Sequence, residues 1–132
     1  MYREQQTIGW SRIDLLLALY DGVIDRLEQA RHALARGDRT AAVPLLVRSQ
    51  RIVLELVAGL DFRYRELSQN LHRLYLFVSH AISGNNPNID AALRVLNTLR
   101  EGLEGIRREA IQLERSGTIP PIGEAAGLRA TG

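Results

Sequence analysis

The chain has 132 residues, with 17 basic and 15 acidic side chains, 45% hydrophobic residues and no cysteine. A hydrophobic fraction near the globular average with nearly balanced charge argues against intrinsic disorder, and the length predicts one domain with a buried core. Without cysteine the protein has neither disulfide bonds nor a cysteine-ligated zinc site.

The charged and apolar residues exclude two further classes of protein. All basic residues are arginines, but acids nearly match them and the longest basic run is Arg107-Arg108, so no nucleic-acid patch is predicted. The longest uncharged stretch, residues 74–89, contains Gly84 and Pro87 and is too broken to span a membrane. Because the N-terminus also lacks the pattern of a secretory signal, we expect a cytoplasmic protein.

The first periodic segment runs from Ile13 to Leu34, with apolar residues spaced by three and four, and predicts a helix. Ser11 and Asp14 have the spacing of a capping box, and Gly37 is placed as a C-terminal stop.

A second helix is predicted from Asp38 or Thr40 to Gly59. Pro44 falls near the end of its first turn, and we expect it to delay the regular start by a few residues. The predicted inner face consists of Ala42, Leu45, Leu46, Ser49, Ile52, Val53, Leu56 and Leu60.

Two more helices follow, one over residues 64–83 and one from Asn88 or Asp90 to about Arg115, separated by a Gly-Asn-Asn-Pro turn. The predicted seam of the third helix is Leu67, Leu71, Leu74, Tyr75, Val78 and Ile82. The predicted seam of the fourth is Leu93, Leu96, Leu99, Leu103, Ile106, Ala110 and Leu113.

Four long helices joined by short turns, with no period-two alternation, predict an all-α protein: an antiparallel up-down-up-down four-helix bundle. We expect a single domain over residues 1–116, made of an N-terminal leader (1–11) and the bundle (12–116). Residues 117–132, rich in Gly, Pro and Ala, are expected to form a flexible tail.

Two helices carry more apolar residues than a bundle seam needs. Leu15 and Leu19 are surplus on the first helix, and Leu76 and Phe77 on the third. They either close the flank of the bundle or form an exposed patch that binds a partner helix. Trp10 in the leader either lies over such a groove or packs on Leu15 as a hydrophobic staple.

The sequence contains no recognisable catalytic or metal-binding constellation, so neither an enzyme nor a cofactor is predicted. His72 and His80 lie eight residues apart, too far along a helix to ligate one metal. Two alternatives to a partner-binding protein stay open. One is histidine phosphotransfer on a four-helix bundle, although the residues after either histidine fit it poorly; the other is a self-associating structural bundle.

Three segments in a fixed order resemble the flagellar secretion chaperones of the FliS type. Residues 19–24 (Leu-Tyr-Asp-Gly-Val-Ile) are similar to the family's first-helix motif, and residues 49–56 (Ser-Gln-Arg-Ile-Val-Leu-Glu-Leu) to its second. Residues 70–75 (Asn-Leu-His-Arg-Leu-Tyr) are similar to the third, and Tyr2 stands at the spacing of the family's N-terminal tyrosine.

This resemblance implies a non-enzymatic cytoplasmic export chaperone. Such a protein holds the disordered C-terminal segment of flagellin on a hydrophobic groove, prevents premature polymerisation and presents the client to the flagellar export gate. A homodimer is a further possible assembly, and neither nucleic acid nor membrane insertion is implied. The expected partner-binding residues are Tyr2, Ile8, Leu16, Leu19, Tyr20, Ile24, Leu71, Leu74, Tyr75, Phe77 and Val78.

Overall fold

A computed structural model describes residues 12–117 of the protein. They form four helices and no strand: α1 (Arg12–Ala35), α2 (Arg39–Ala58), α3 (Arg65–Ala81) and α4 (Ile89–Arg115). This confirms the predicted all-α four-helix bundle. The leader with its Ser11 cap, and the tail beyond Gly117, lie outside the described residues.

The four helices form a closed ring in which each packs against the next and α4 packs back against α1. At one end of the bundle the backbone N–H of Arg12 lies 3.2 Å from a carboxylate oxygen of Glu114. At the other end the guanidinium of Arg31 lies 3.0 Å from the carboxylate of Asp90. The first and last helices are therefore antiparallel neighbours.

The core fills the centre of the ring with side chains from all four helices. Val23, Leu27, Val53, Val78 and Leu96 are completely buried. Each of them belongs to the inner face that the sequence predicts for its helix, and burial of such apolar side chains is the main driving force for the fold.

Local capping fixes the helix ends. The Asp38 carboxylate accepts a hydrogen bond from Ala41 N at 3.0 Å, and the Asn88 side chain accepts one from Ala91 N at 3.1 Å. Gly37 has φ of +77°, a conformation that favours glycine, and it separates α1 from α2. These positions confirm the predicted boundaries.

The expected delay at Pro44 is wrong, because α2 begins at Arg39 and contains the proline. The Asp38 cap already sets the start of the helix. Pro44 removes only the bond to the carbonyl of Thr40, and both residues are exposed, so water can satisfy that oxygen.

Three residues predicted for the seams are largely exposed in the structure: Leu67 at 60%, Ile106 at 51% and Leu113 at 38%. All three lie toward the end of the bundle where α3 begins and α4 ends. Helical spacing identifies residues on one face, but the neighbouring helix does not cover that face here. Accordingly, α3 buries only Ser68, Tyr75 and Val78.

Ion pairs connect α1 to α4, whereas hydrogen bonds of uncharged side chains connect α2 to α3. Three ion pairs join α1 to α4: Arg107–Asp14 at 2.7 Å, Arg100–Asp21 at 2.5 Å and Arg31–Asp90 at 3.0 Å. All three lie at the surface, where solvent screens the charges and ion pairs add little to stability. Between α2 and α3, the Gln50 amide instead bonds to Ser79 and Ser83.

None of the helices in the described part of the chain is long and apolar enough to cross a membrane.

Candidate functional site

A groove of about 480 Å³ opens at the end of the bundle where α1 and α3 begin and α2 and α4 end. We call it the end groove. Its apolar lining comes from three helices and the α2–α3 turn: Ile13, Leu15, Leu16, Leu19, Leu56, Leu60, Tyr64, Leu67, Leu71 and Tyr75. Polar residues at its edge are Arg12, Glu55, Asp61, Ser68 and Glu114.

Several of the large side chains that line the end groove are open to solvent. Leu67 is 60% exposed, Tyr64 61% and Leu15 41%. Single exposed leucines are ordinary, but a cluster of this kind around a concave surface is typical of a site that binds another protein. The groove can accept a few apolar side chains of a peptide.

The wall formed by α1 follows from its local sequence. Residues 15–19 read Leu-Leu-Leu-Ala-Leu, so this turn is apolar around most of its circumference. Leu17 faces the core, whereas Leu15, Leu16 and Leu19 line the end groove. The surplus leucines of the sequence therefore belong mainly to this wall.

Hydrogen bonds hold the turn between α2 and α3 at the edge of the groove. The Arg63 guanidinium lies 2.6 Å from the Asp61 carboxylate, and this bond lowers the pKa of that carboxyl to about 2. The Ser68 hydroxyl donates to the backbone carbonyl of Asp61 at 2.6 Å. Because Asp61 stays ionised above pH of about 2, the turn keeps its ion pair at physiological pH.

Two buried tyrosines connect the floor of the groove to the core. The hydroxyls of Tyr20 on α1 and Tyr75 on α3 lie 2.8 Å apart, and the rings meet edge to face with centroids 6.4 Å apart. Burial raises the pKa of both phenols. Since Tyr75 also lines the groove, this pair links α1 and α3 at the floor of the groove.

Replacing Tyr75 with phenylalanine is expected to lower the free energy of unfolding by about 1–3 kcal/mol, because the buried Tyr20 hydroxyl loses its partner. Urea denaturation measures the loss. The double variant Tyr20→Phe/Tyr75→Phe removes both hydroxyls and should cost less than the single change. An equal or larger loss in the double variant would show that the hydrogen bond between the two hydroxyls does not contribute to the free energy of unfolding.

The same pair has a consequence at high pH. An exposed tyrosine ionises near pH 10, but the buried pair stays neutral there because its pKa values are raised. The pair's contribution to stability is therefore intact below about pH 10 and is lost as the pH rises further.

Comparison with known families assigns the protein. The family model described as flagellar protein FliS matches residues 1–110. The chain belongs to the FliS family. A comparison with curated protein sequences finds no match. Membership in the FliS family implies a flagellar export chaperone with flagellin as its partner.

Four of the residues expected to bind the partner line the end groove: Leu16, Leu19, Leu71 and Tyr75. The others lie elsewhere. Tyr20 and Val78 are buried in the core, and Ile24 is partly buried against it. Leu74 is partly buried and Phe77 is 49% exposed, both on α3 and outside the groove. Tyr2 and Ile8 are outside the described residues.

Sequence reasoning missed the contribution of α2 and its turn to the groove of this FliS-family chain. Leu56, Gly59, Leu60 and Tyr64 all line it, as does Leu67. The signal was present in the predicted topology, because an antiparallel bundle places the end of α2 beside the starts of α1 and α3.

The histidines and acids of the described part of this FliS-family chain make contacts within the bundle. No cluster of His, Asp and Glu there could hold a metal ion. His72 packs edge to face on Phe62, with ring centroids 6.4 Å apart. Asp21 pairs with Arg100, and Asp25 accepts a hydrogen bond from Gln29 at 2.9 Å. These contacts are structural.

Proposed function

We propose that this protein binds the disordered C-terminal segment of flagellin in the end groove. It would act in the cytoplasm, prevent premature polymerisation and deliver the client to the flagellar export gate. The observation that carries the proposal is the group of exposed apolar side chains around the groove, above all Leu15, Tyr64 and Leu67.

Binding would rest on apolar burial coupled to folding of the client. A disordered segment loses conformational entropy when it becomes ordered, so the groove must supply enough apolar area to offset that cost. Full burial of a leucine contributes about 1.5–3 kcal/mol, so micromolar binding requires several such side chains after the costs of association and ordering are subtracted. None of these steps requires a catalytic residue or a cofactor.

The N-terminal leader is part of this proposal. Arg12, the first residue of α1, lines the end groove. We propose that Tyr2 and Ile8, in the segment before Arg12, contact a bound client. Leu74 and Phe77 on α3 lie outside the groove and would contact only a client that extends beyond it.

Calorimetric titration with a peptide that spans the C-terminal segment of a flagellin from the same genome tests the proposal. We expect one-to-one binding with a large negative heat-capacity change, which marks burial of apolar surface. The same residues in scrambled order serve as the control and should not bind. If the native peptide also fails to bind at micromolar concentration, the groove does not hold this segment.

A further inference from the structure

A second group of exposed apolar side chains lies on α2 and α3, away from the end groove. Val43 is 51% exposed, Val47 44% and Leu54 59% on α2, and Leu76 is 41% exposed on α3. None of them lines the end groove. We call these four residues the α2–α3 face.

The bonds of Gln50 show that the four residues form one strip. Its amide nitrogen donates to the backbone oxygen of Ser79 and to the hydroxyl of Ser83, both at 2.7 Å. The Ser79 hydroxyl donates back to Gln50 Oε1 at 2.8 Å. Leu54 lies one turn from Gln50 and Leu76 one turn from Ser79, both toward the end groove. Helical spacing therefore places the two leucines on the same side of the Gln50–Ser79 contact.

The strip has the dimensions of a helix-binding surface. Val47 lies one turn on the other side of Gln50, and Val43 one turn beyond it. From Val43 to Leu54 the strip follows α2 for about 16 Å, or about three turns of helix. A partner helix of similar length could place an apolar stripe along it.

The half of the bundle that carries the strip has more arginines than acidic residues. Between Arg39 and Ala81 the chain has six arginines and three acidic residues, whereas α1 and α4 together have eight arginines and nine acids. Arg48, Arg51 and Arg73 are exposed and make no ion pair with any residue that the structure describes. By helical spacing Arg51 flanks Val47 and Leu54, and Arg73 flanks Leu76.

The three acids of this half do not balance those arginines. Asp61 is paired with Arg63, Glu55 lines the end groove, and Glu66 lies in the first turn of α3. On the opposite side of the bundle three ion pairs join α1 to α4. The excess of arginine over acid thus lies in the half of the bundle that carries the exposed apolar strip.

We propose that the α2–α3 face binds an acidic amphipathic helix of a second protein. The apolar stripe of that helix would cover Leu54, Leu76 and Val47, and its carboxylates would pair with Arg51 and Arg73. The end groove stays open to its own client, so both could bind at once. The proposal goes beyond the binding of flagellin and does not depend on it.

Two designed helical peptides of equal length and with the same leucine stripe test this proposal. One carries glutamate and the other lysine at the flanking positions, and fluorescence anisotropy measures binding to the full chain. We expect the glutamate peptide to bind at least about tenfold more tightly, since opposite charge at the rim favours it and like charge opposes the other. Raising the salt from about 0.1 M to about 0.5 M should weaken that binding severalfold.

Charge-reversal variants locate the site. Arg51→Glu/Arg73→Glu should weaken binding of the glutamate peptide at least about tenfold. Arg94→Glu/Arg108→Glu is the matched control, because it reverses two exposed arginines of α4 and changes the net charge equally. This control should bind the peptide nearly as well as the unchanged protein.

The proposal would be overturned by equal binding of both peptides, by no binding of either, by equal loss in both charge-reversal variants, or by a dimer that Leu54→Glu dissociates. The dimer would assign the face to a second copy of the chain. If Arg51→Glu/Arg73→Glu weakened binding of the flagellin segment as strongly, the face would belong to that client, which overturns the second partner and leaves the proposed function intact. Conversely, binding of the glutamate peptide without binding of the flagellin segment supports this site alone.

Discussion

Replacement of Leu15 or Leu67 by aspartate is expected to weaken binding of the flagellin segment at least about tenfold in each case. Both side chains line the end groove and are already 41% and 60% exposed, so the bundle tolerates the change. Each substitution removes apolar area that binding would bury and adds a charge that binding would desolvate. Calorimetric titration measures the affinity, and circular dichroism confirms that the helices persist.

Phe77→Asp is the matched control for Leu67→Asp. Phe77 also lies on α3 and is 49% exposed, but it does not line the groove. Binding of the flagellin segment should change less than about threefold in this variant. Comparable losses at Leu67 and Phe77 would mean that the client follows the outer face of α3, and the groove assignment would be wrong.

The largest expected effect on stability is at Leu96. Its side chain is completely buried in the core, so Leu96→Ala should lower the free energy of unfolding by about 2–5 kcal/mol through lost apolar burial and the cavity left behind. Urea denaturation measures this loss. Leu54→Ala is the control, because Leu54 is 59% exposed and its truncation should cost less than about 0.5 kcal/mol. A small effect at Leu96 would contradict the packing described for the core.

Local signals in the sequence were sufficient for most of the fold. Asp38 and Asn88 cap the helices where the sequence places them, and Gly37 adopts the positive φ that a helix stop requires. Such signals act within a few residues, so they predict helix ends without knowledge of the tertiary structure. The regular spacing of apolar residues along the first two helices was equally important for predicting those helices.

The candidate site was less predictable because it depends on contacts between distant segments. Leu67 and Leu71 have the same helical character in the sequence, yet one is 60% exposed and the other packs against the core. Which of them is covered depends on how closely α4 approaches the start of α3. Tyr20 shows the reverse case, since the FliS resemblance implies a partner-binding role and the structure buries it beneath the groove.

The contact between Arg12 and Glu114 has a practical consequence for labelling the protein. It brings the start of α1 and the end of α4 together beside the end groove, so a fluorophore or fusion attached near either one would crowd a bound peptide. Residues 83–86, all exposed, form the turn between α3 and α4 at the far end of the bundle. A reporter inserted in that turn would leave the groove unobstructed.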